Sequence, residues 1–464
     1  MASNQEFERE RVPEKNMKGG RSFLGMYAGE HAAGTEFMIG PLFLTTGVSA
    51  FDLIVGLLLG NLLAVLCWRF LTAELAVRER LTLYFQLERI CGSKLVTAYN
   101  LINGLLFCFL AGSMITVSAT AVGIPFDMPM PKLTDTMPNG LTWIIIVIAV
   151  GGIIAIIASR GYNSVSKAAN WMSPVIVVAF IWAGIVALGS LGVESFSDFW
   201  NIWGKGRNPF PGQMKYSFWH VVLWSWFCNA AMHIGMSDLT VFRYAKNASS
   251  GWTTAAGMYI GHYMAWIAAS LLYAVYLKTP EAAALLGNGE APTVAPGPMA
   301  YNAIGYFGIL AVVLAGWTTA NPTIYRAGLA FKIFFPRLST SNVTLIAGLL
   351  ATVAGVFPAF AMKLLGFVAF YGFVLAPVGA IILADVLIAP KLGFKRNYAE
   401  VFKTSFSLPF LIAWLLCVIA FYLLSIQFDI FLSFLILPTY VSAGCVYLGL
   451  RTAFDKAKVS LENP

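Results

Sequence analysis

LGMYAGEHAAGTEFMIGPLF, residues 24–43, decides how this chain is read. The stretch is long and apolar enough to enter a bilayer, yet it carries Glu30, His31 and Glu36. An ionisable side chain inside a membrane span is costly unless it pairs or faces a polar cavity, so such residues mark ion or substrate pathways. Gly29, Ala32, Ala33 and Gly34 around them allow a helix to unwind or to pack closely. The expectation is a transporter with a broken helix at its binding site.

The rest of the composition agrees. Of 464 residues, 58% are hydrophobic and 11% charged, with a mean hydropathy of +0.74. Soluble domains are about a quarter charged, so the expected class is an all-α polytopic membrane protein. The net charge of +8 does not point to nucleic acid, because Lys and Arg are spread among connecting loops. Cys67, Cys91, Cys108, Cys228, Cys417 and Cys445 show no metal or redox spacing and read as small hydrophobes. There is no HExxH, no phosphate loop and no nucleophile elbow, so no enzyme is expected.

Apolar runs bounded by Gly, Pro and charge predict twelve spans, near 22–46, 49–76, 95–123, 140–159, 165–190, 216–243, 252–277, 299–333, 342–358, 362–388, 406–425 and 429–451. With the N-terminus in the cytoplasm, inside segments collect roughly 23 of the 30 Lys and Arg, as the positive-inside bias requires. A multi-pass protein of the cell (inner or plasma) membrane with both termini cytoplasmic follows. Residues 1–21 read as a flexible tail and 452–464 as a second tail. The first span is interrupted at 28–36 and the sixth at 228–238, within FCNAAMHIGMSDL. Broken helices in corresponding positions point to an inverted repeat. The expected units are 22–190 and 216–388, five helices each, followed by two extra helices over 406–451.

Three further strings carry a family signal. DLTVFRYAKNASSGW (238–252) closes the sixth span with Arg243, Tyr244, Lys246 and Asn247. GWTTANPTIYRAGLAF (316–331) places Trp317, Thr318 and Thr319 in the eighth. APVGAIILADVL (376–387) places Pro377, Gly379, Ile381, Ile382, Ala384 and Asp385 in the tenth. With GVSAFDLIVGLLLGNLLAVL (47–66) as second helix, the chain resembles the nucleobase–cation symporter-1 family, which contains cytosine permeases and hydantoin transporters. The resemblance implies a five-plus-five inverted-repeat fold and a Na+ site between the first and eighth helices. Its ligands would be the hydroxyls of Thr318 and Thr319 and backbone carbonyls near Glu30, Gly34 and Ala315, oxygen donors that suit a hard cation. The bland reading of the two threonines is that they bond back to their own helix.

The resemblance also places a substrate site between the broken helices and the third, eighth and tenth spans. Its candidates here are Thr35, Glu36, Asn103, Phe107, Trp224, Asn229, Ala231, His233 and Asn321. The aromatic-plus-Gln reader of the third helix is incomplete, with Phe107 at the aromatic position and Gly104 at the amide. Glu36 stands where the family has a small residue and suits an amine, a guanidinium or a ring N–H. Glu30 and His31 admit three readings: a structural pair, tuning of the cation site, or a proton relay. Asp238 is expected to pair with Arg243 or Lys246, Asp52 to cap the second span, His262 to be a packing histidine, and Asp385 to be structural or part of a gate.

These readings converge on a secondary active transporter that imports a small nitrogen-containing solute, nucleobase-like or a related heterocycle, by Na+ symport with alternating access. One alternative is a carrier of a small cationic amine or guanidino compound, coupled to H+. Another, of a different class, is a passive channel or facilitator. The expected partners are the solute and the lipid bilayer, with no nucleic acid, and a monomer is compatible with everything in the sequence.

Overall fold

In lipid every backbone polar group has to be bonded within the protein, which leaves helix as the form for runs this apolar. The computed structural model describes residues 6–462 and is helical, with no strand among the described residues. Among the described residues nine helices are long and apolar enough to cross a membrane, and Thr340–Gly355 is a shorter apolar one. Two further crossings are broken. The first is built from Arg21–His31, Glu36–Ile39 and Leu42–Thr45, the sixth from Phe218–Phe227 and Leu239–Phe242. The crossings thus number as many as the sequence predicts, and the chain is a multi-pass membrane protein.

Each break has a local cause. Ala32 leaves the helical region (φ −94°, ψ 59°), and a second interruption follows at Pro41, which has no N–H to donate. In the sixth crossing, Met236 takes a left-handed φ of 68°. Freed amides are bonded again nearby: Gly235 N to Ala230 O (2.7 Å), Ser237 N to Ala231 O (3.1 Å) and Asp238 N to Met232 O (3.2 Å). Around the breaks, the third helix (Ser93–Val122) packs along the eighth (Tyr306–Phe331), the first on the fifth (Tyr162–Leu191), and the second (Ala50–Cys67 and its continuation) on the first half of the sixth. The fourth (Leu141–Ser159) packs on the ninth (Thr340–Gly355), and the tenth (Ala359–Leu383) on the twelfth (Ser433–Glu462). Wide π turns widen the second, seventh and tenth crossings at Trp68–Thr72, Ala256–Met264 and Ala384–Ile388.

Three expectations change. The expected run 299–333 splits at Gly305 (φ 63°) into Pro296–Ile304 and Tyr306–Phe331. The last helix continues through Glu462 where a tail from 452 was expected. The N-terminal segment is not a loose tail from Glu6 onward: Phe7, Val12 and Met17 are buried, and residues 6–20 lie as a strap across the helix ends. Lys18 N donates to Tyr244 O (2.6 Å), Lys246 N to Lys18 O (3.0 Å) and Val12 N to Arg80 O (3.1 Å). Its polar composition disguised this, because the charged side chains are partnered, as in Arg9 with Glu88 at 2.8 Å. Residues 1–5 and 463–464 of the two expected tails lie outside the described residues.

Candidate functional site

The first break leaves helix carbonyls without their usual amides, and the eighth helix brings hydroxyls to them. Thr319 Oγ1 donates to Glu30 O (3.1 Å) across the interface and lies 3.3 Å from Ala315 O on its own helix. Thr318 Oγ1 is 3.1 Å from the same Ala315 O. Ala315 O is thus shared by both hydroxyls and Thr319 links it to Glu30 O, and these oxygen types are those a hard cation takes. Gly34 lies beside the same helix, since a Cβ there would come within 3.6 Å of Gly316 Cα. The threonines do bond back to their own helix, but Thr319 also reaches the broken one.

Two turns further along the eighth helix, Arg326 is almost fully buried. It is held between Glu30 (Nη1 to Oε1, 2.6 Å) and Asp238 (Nη2 to Oδ1, 2.6 Å). Tyr27 OH (2.8 Å) and Trp68 Nε1 (2.7 Å) donate to the other oxygen of Asp238. This knot ties the first, second, sixth and eighth crossings together. Asp238 therefore does not pair with Arg243 or Lys246. Arg243 instead donates to Phe7 O and to Tyr325 OH, both at 3.0 Å. The Glu30 carboxylate pairs with Arg326 and not with His31. His31 Nδ1 donates to Tyr27 O (2.8 Å) and its ring stands edge-on to Trp68 and His262. Arg326 was overlooked in the sequence, although an arginine in the apolar run ANPTIYRAGLAF was signal enough.

Beside the knot lies a cavity of about 60 Å³, lined by both breaks and by the third, seventh, eighth and tenth crossings. Glu36 and Thr35 form one wall, Asn229, Ala231 and Met232 another, and His262, Thr323, Phe367 and Tyr371 close the rest. Thr35 Oγ1 donates to Glu36 Oε1 (2.9 Å), and Trp266 Nε1 donates to Oε2. His262 faces the same carboxylate with Nε2 3.9 Å from Oε1, and stacks on Trp266 with ring centroids 4.2 Å apart. It is thus part of the cavity and not a mere packing histidine.

Four of the substrate candidates, Thr35, Glu36, Asn229 and Ala231, line this cavity; five do not. Phe107 stands behind Tyr371, edge to face at 5.8 Å. Asn103 accepts from Tyr371 OH (2.9 Å) and donates to Tyr84 OH (3.3 Å). Trp224 faces Phe431, and His233 is occupied by Trp226 O and the Trp68 ring. Asn321 is buried with both amide atoms unpartnered, away from the cavity lining. Gly104 packs against the Phe331 ring. The aromatic wall comes from the tenth helix, where Phe367 and Tyr371 stack one turn apart (5.9 Å). One smaller expectation shifts: Ser49, not Asp52, caps the second helix. Asp385, expected to be structural or part of a gate, accepts from Tyr447 OH (2.6 Å) and Arg451 Nη1 (2.9 Å).

No family profile and no curated protein matches the chain. Solved structures do. Mhp1, a nucleobase–cation-symport-1 family transporter in a closed conformation with bromovinylhydantoin bound, superposes with a TM-score of 0.71 at 14% identity, covering 97% of this chain and 96% of the other. Inward-facing Mhp1 gives 0.65 at 16% identity over 97% and 95%. A substrate-bound, outward-open Na+-coupled sialic acid symporter gives 0.61 at 13% over 96% and 92%. The resemblance drawn from the sequence holds at the level of the fold: this chain has the architecture of these symporters over nearly its whole length.

Proposed function

We propose that this protein is a secondary active transporter that carries a small nitrogen-containing solute together with Na+, by alternating access around the cavity between the two broken helices. The supporting observation is the meeting of Thr318, Thr319, Ala315 O and Glu30 O beside that cavity, where an ion would bind across the joint between the first and eighth crossings. An ion held there stabilises one relative placement of the two helices, and its differential affinity for the two states couples ion to solute. Solute binding falls to Glu36, Asn229 and the Phe367–Tyr371 wall. A ring reader built from Phe107 and its helix neighbour is not assembled, which weakens the cytosine-like reading and leaves the broader class. The membrane placement is the inner or plasma membrane, with both termini cytoplasmic.

The test is uptake into proteoliposomes under an imposed Na+ gradient. T319A and T318A should each weaken Na+ dependence by about tenfold or more, with the protein still folding. Accumulation that persists without Na+, or in both variants, rejects the ion site. Flux that equilibrates but never accumulates selects a passive facilitator.

A further inference from the structure

Glu36 is a buried carboxylate (1% exposed) that opens onto the cavity. Two neutral donors, Thr35 Oγ1 and Trp266 Nε1, occupy one lone pair on each oxygen. The Ala33 backbone N–H approaches the same carboxylate, so an ionised carboxylate, with about four such sites, keeps capacity for at least one further donor, and Glu36 lines the cavity. Among the described residues no Lys or Arg nitrogen lies within 4.0 Å of it. His262 Nε2 lies 3.9 Å from Glu36 Oε1, beyond hydrogen-bond reach, and 3.4 Å from Asn229 Nδ2.

The surroundings deepen the deficit. Glu30 and Asp238 share the single guanidinium of Arg326, leaving one negative charge in surplus there, and Glu36 adds a second. Holding charge in a low-dielectric interior costs several kcal/mol unless an opposite charge comes close. A Na+ ion beside Glu30 O answers one of the two. The other, on Glu36, has no Lys or Arg counter-charge within 4.0 Å among the described residues.

We infer that the transported solute is itself a small organic cation, an amidinium, guanidinium or compact ammonium, with Glu36 as its counter-ion. The inference rests on the transporter reading given above. Size agrees: the cavity, about 60 Å³, is small, which suits a compact solute. Phe367 and Tyr371 line the same cavity, and aromatic rings attract cations. A planar guanidinium presents paired N–H groups to a carboxylate edge. The same field repels anionic solutes, so a carboxylated sugar does not fit this chain despite the shared fold.

The experiment is thermal unfolding of the purified full-length chain in detergent, with and without Na+. The probes are guanidinium, methylguanidinium, methylammonium and ethylammonium, each against a neutral counterpart such as urea or N-methylurea. At least one cation should raise the midpoint, more strongly with Na+ present, while its neutral counterpart does nothing at the same concentration. E36Q should weaken the apparent affinity for that cation by about 30-fold or more, while the stabilisation by Na+ alone persists and shows the variant folded. E36D, which keeps the charge, should keep the preference for the cation over its neutral isostere; it also serves if E36Q does not fold. The inference is overturned if no cation shifts the wild type, if neutral probes bind as well, as a protonated Glu36 would allow, or if E36Q binds the cation unchanged. A wild type that responds to a cation but not to Na+ speaks against the Na+ site instead, so the two failures are distinguishable.

Discussion

Arg326 is one buried positive charge between two carboxylates, and with Tyr27 and Trp68 on Asp238 it ties four crossings together. Removing it would leave Glu30 and Asp238 buried and unpaired, which costs about 3–5 kcal/mol in comparable buried pairs. R326M should therefore lower stability by about that amount, read as the unfolding midpoint in denaturant. The triple variant E30Q/D238N/R326M, which removes every charge of the knot, should regain most of it; a triple variant as unstable as R326M would show that packing, not charge, is what Arg326 supplies. At this scale the sequence showed which residues matter and not whom they meet. Glu30, Glu36 and His31 stood out as ionisable groups in an apolar run. Their partners were hidden because Arg326 lies 296 positions from Glu30 and 88 from Asp238, and spacing along a chain carries no information about such pairs.

Among the elements, the seventh crossing shows how a helix is shaped to fit a broken neighbour. Its wide turns over Ala256–Met264 press backbone against His31, so that a Cβ at Gly261 would sit 2.5 Å from the His31 carbonyl carbon. Both sides of that contact are backbone, and neither can yield cheaply. G261A is expected to cost about 1–3 kcal/mol and to reduce transport by displacing the first break. G152A on the fourth helix, where nothing lies within 4 Å of the new methyl, should be neutral or slightly stabilising. Thermal unfolding and uptake of the two variants, side by side, check this; equal behaviour would mean the seventh helix can move away from His31. The sequence showed small residues in this helix but not the π turns, which arise from packing against the first crossing. The breaks themselves were legible, since clusters of Gly, Ala and polar residues within apolar runs are a local property.

Across the whole molecule, the strap of residues 6–20 joins crossings that an alternating-access transporter must separate. The Glu6 carboxylate accepts from Tyr162 N of the fifth (3.1 Å), Tyr244 OH just past the sixth (3.1 Å) and Tyr325 OH of the eighth (2.6 Å). Above it lies a cavity of about 440 Å³ lined by Glu8, Asn100 and Lys332. Loss of charge-assisted bonds of this kind is worth about 1.5–3 kcal/mol each, enough to shift a balance between closed and open forms. E6A should therefore make a cysteine placed at position 100, in a background without the native cysteines, react with maleimide about tenfold faster. An unchanged rate would mean the strap does not hold this face shut. What the sequence determined by itself was the class of molecule: helical, membrane-crossing, with two broken helices five crossings apart. Hydropathy, breaks and family strings are written in neighbouring residues, and lipid leaves the backbone little choice. Only the tertiary structure decided that the N-terminus is a strap, that Arg326 bridges Glu30 and Asp238, and that Glu36 faces a hollow without a cation. Those facts depend on which distant side chains packing brings within a few ångströms, and no local pattern encodes that.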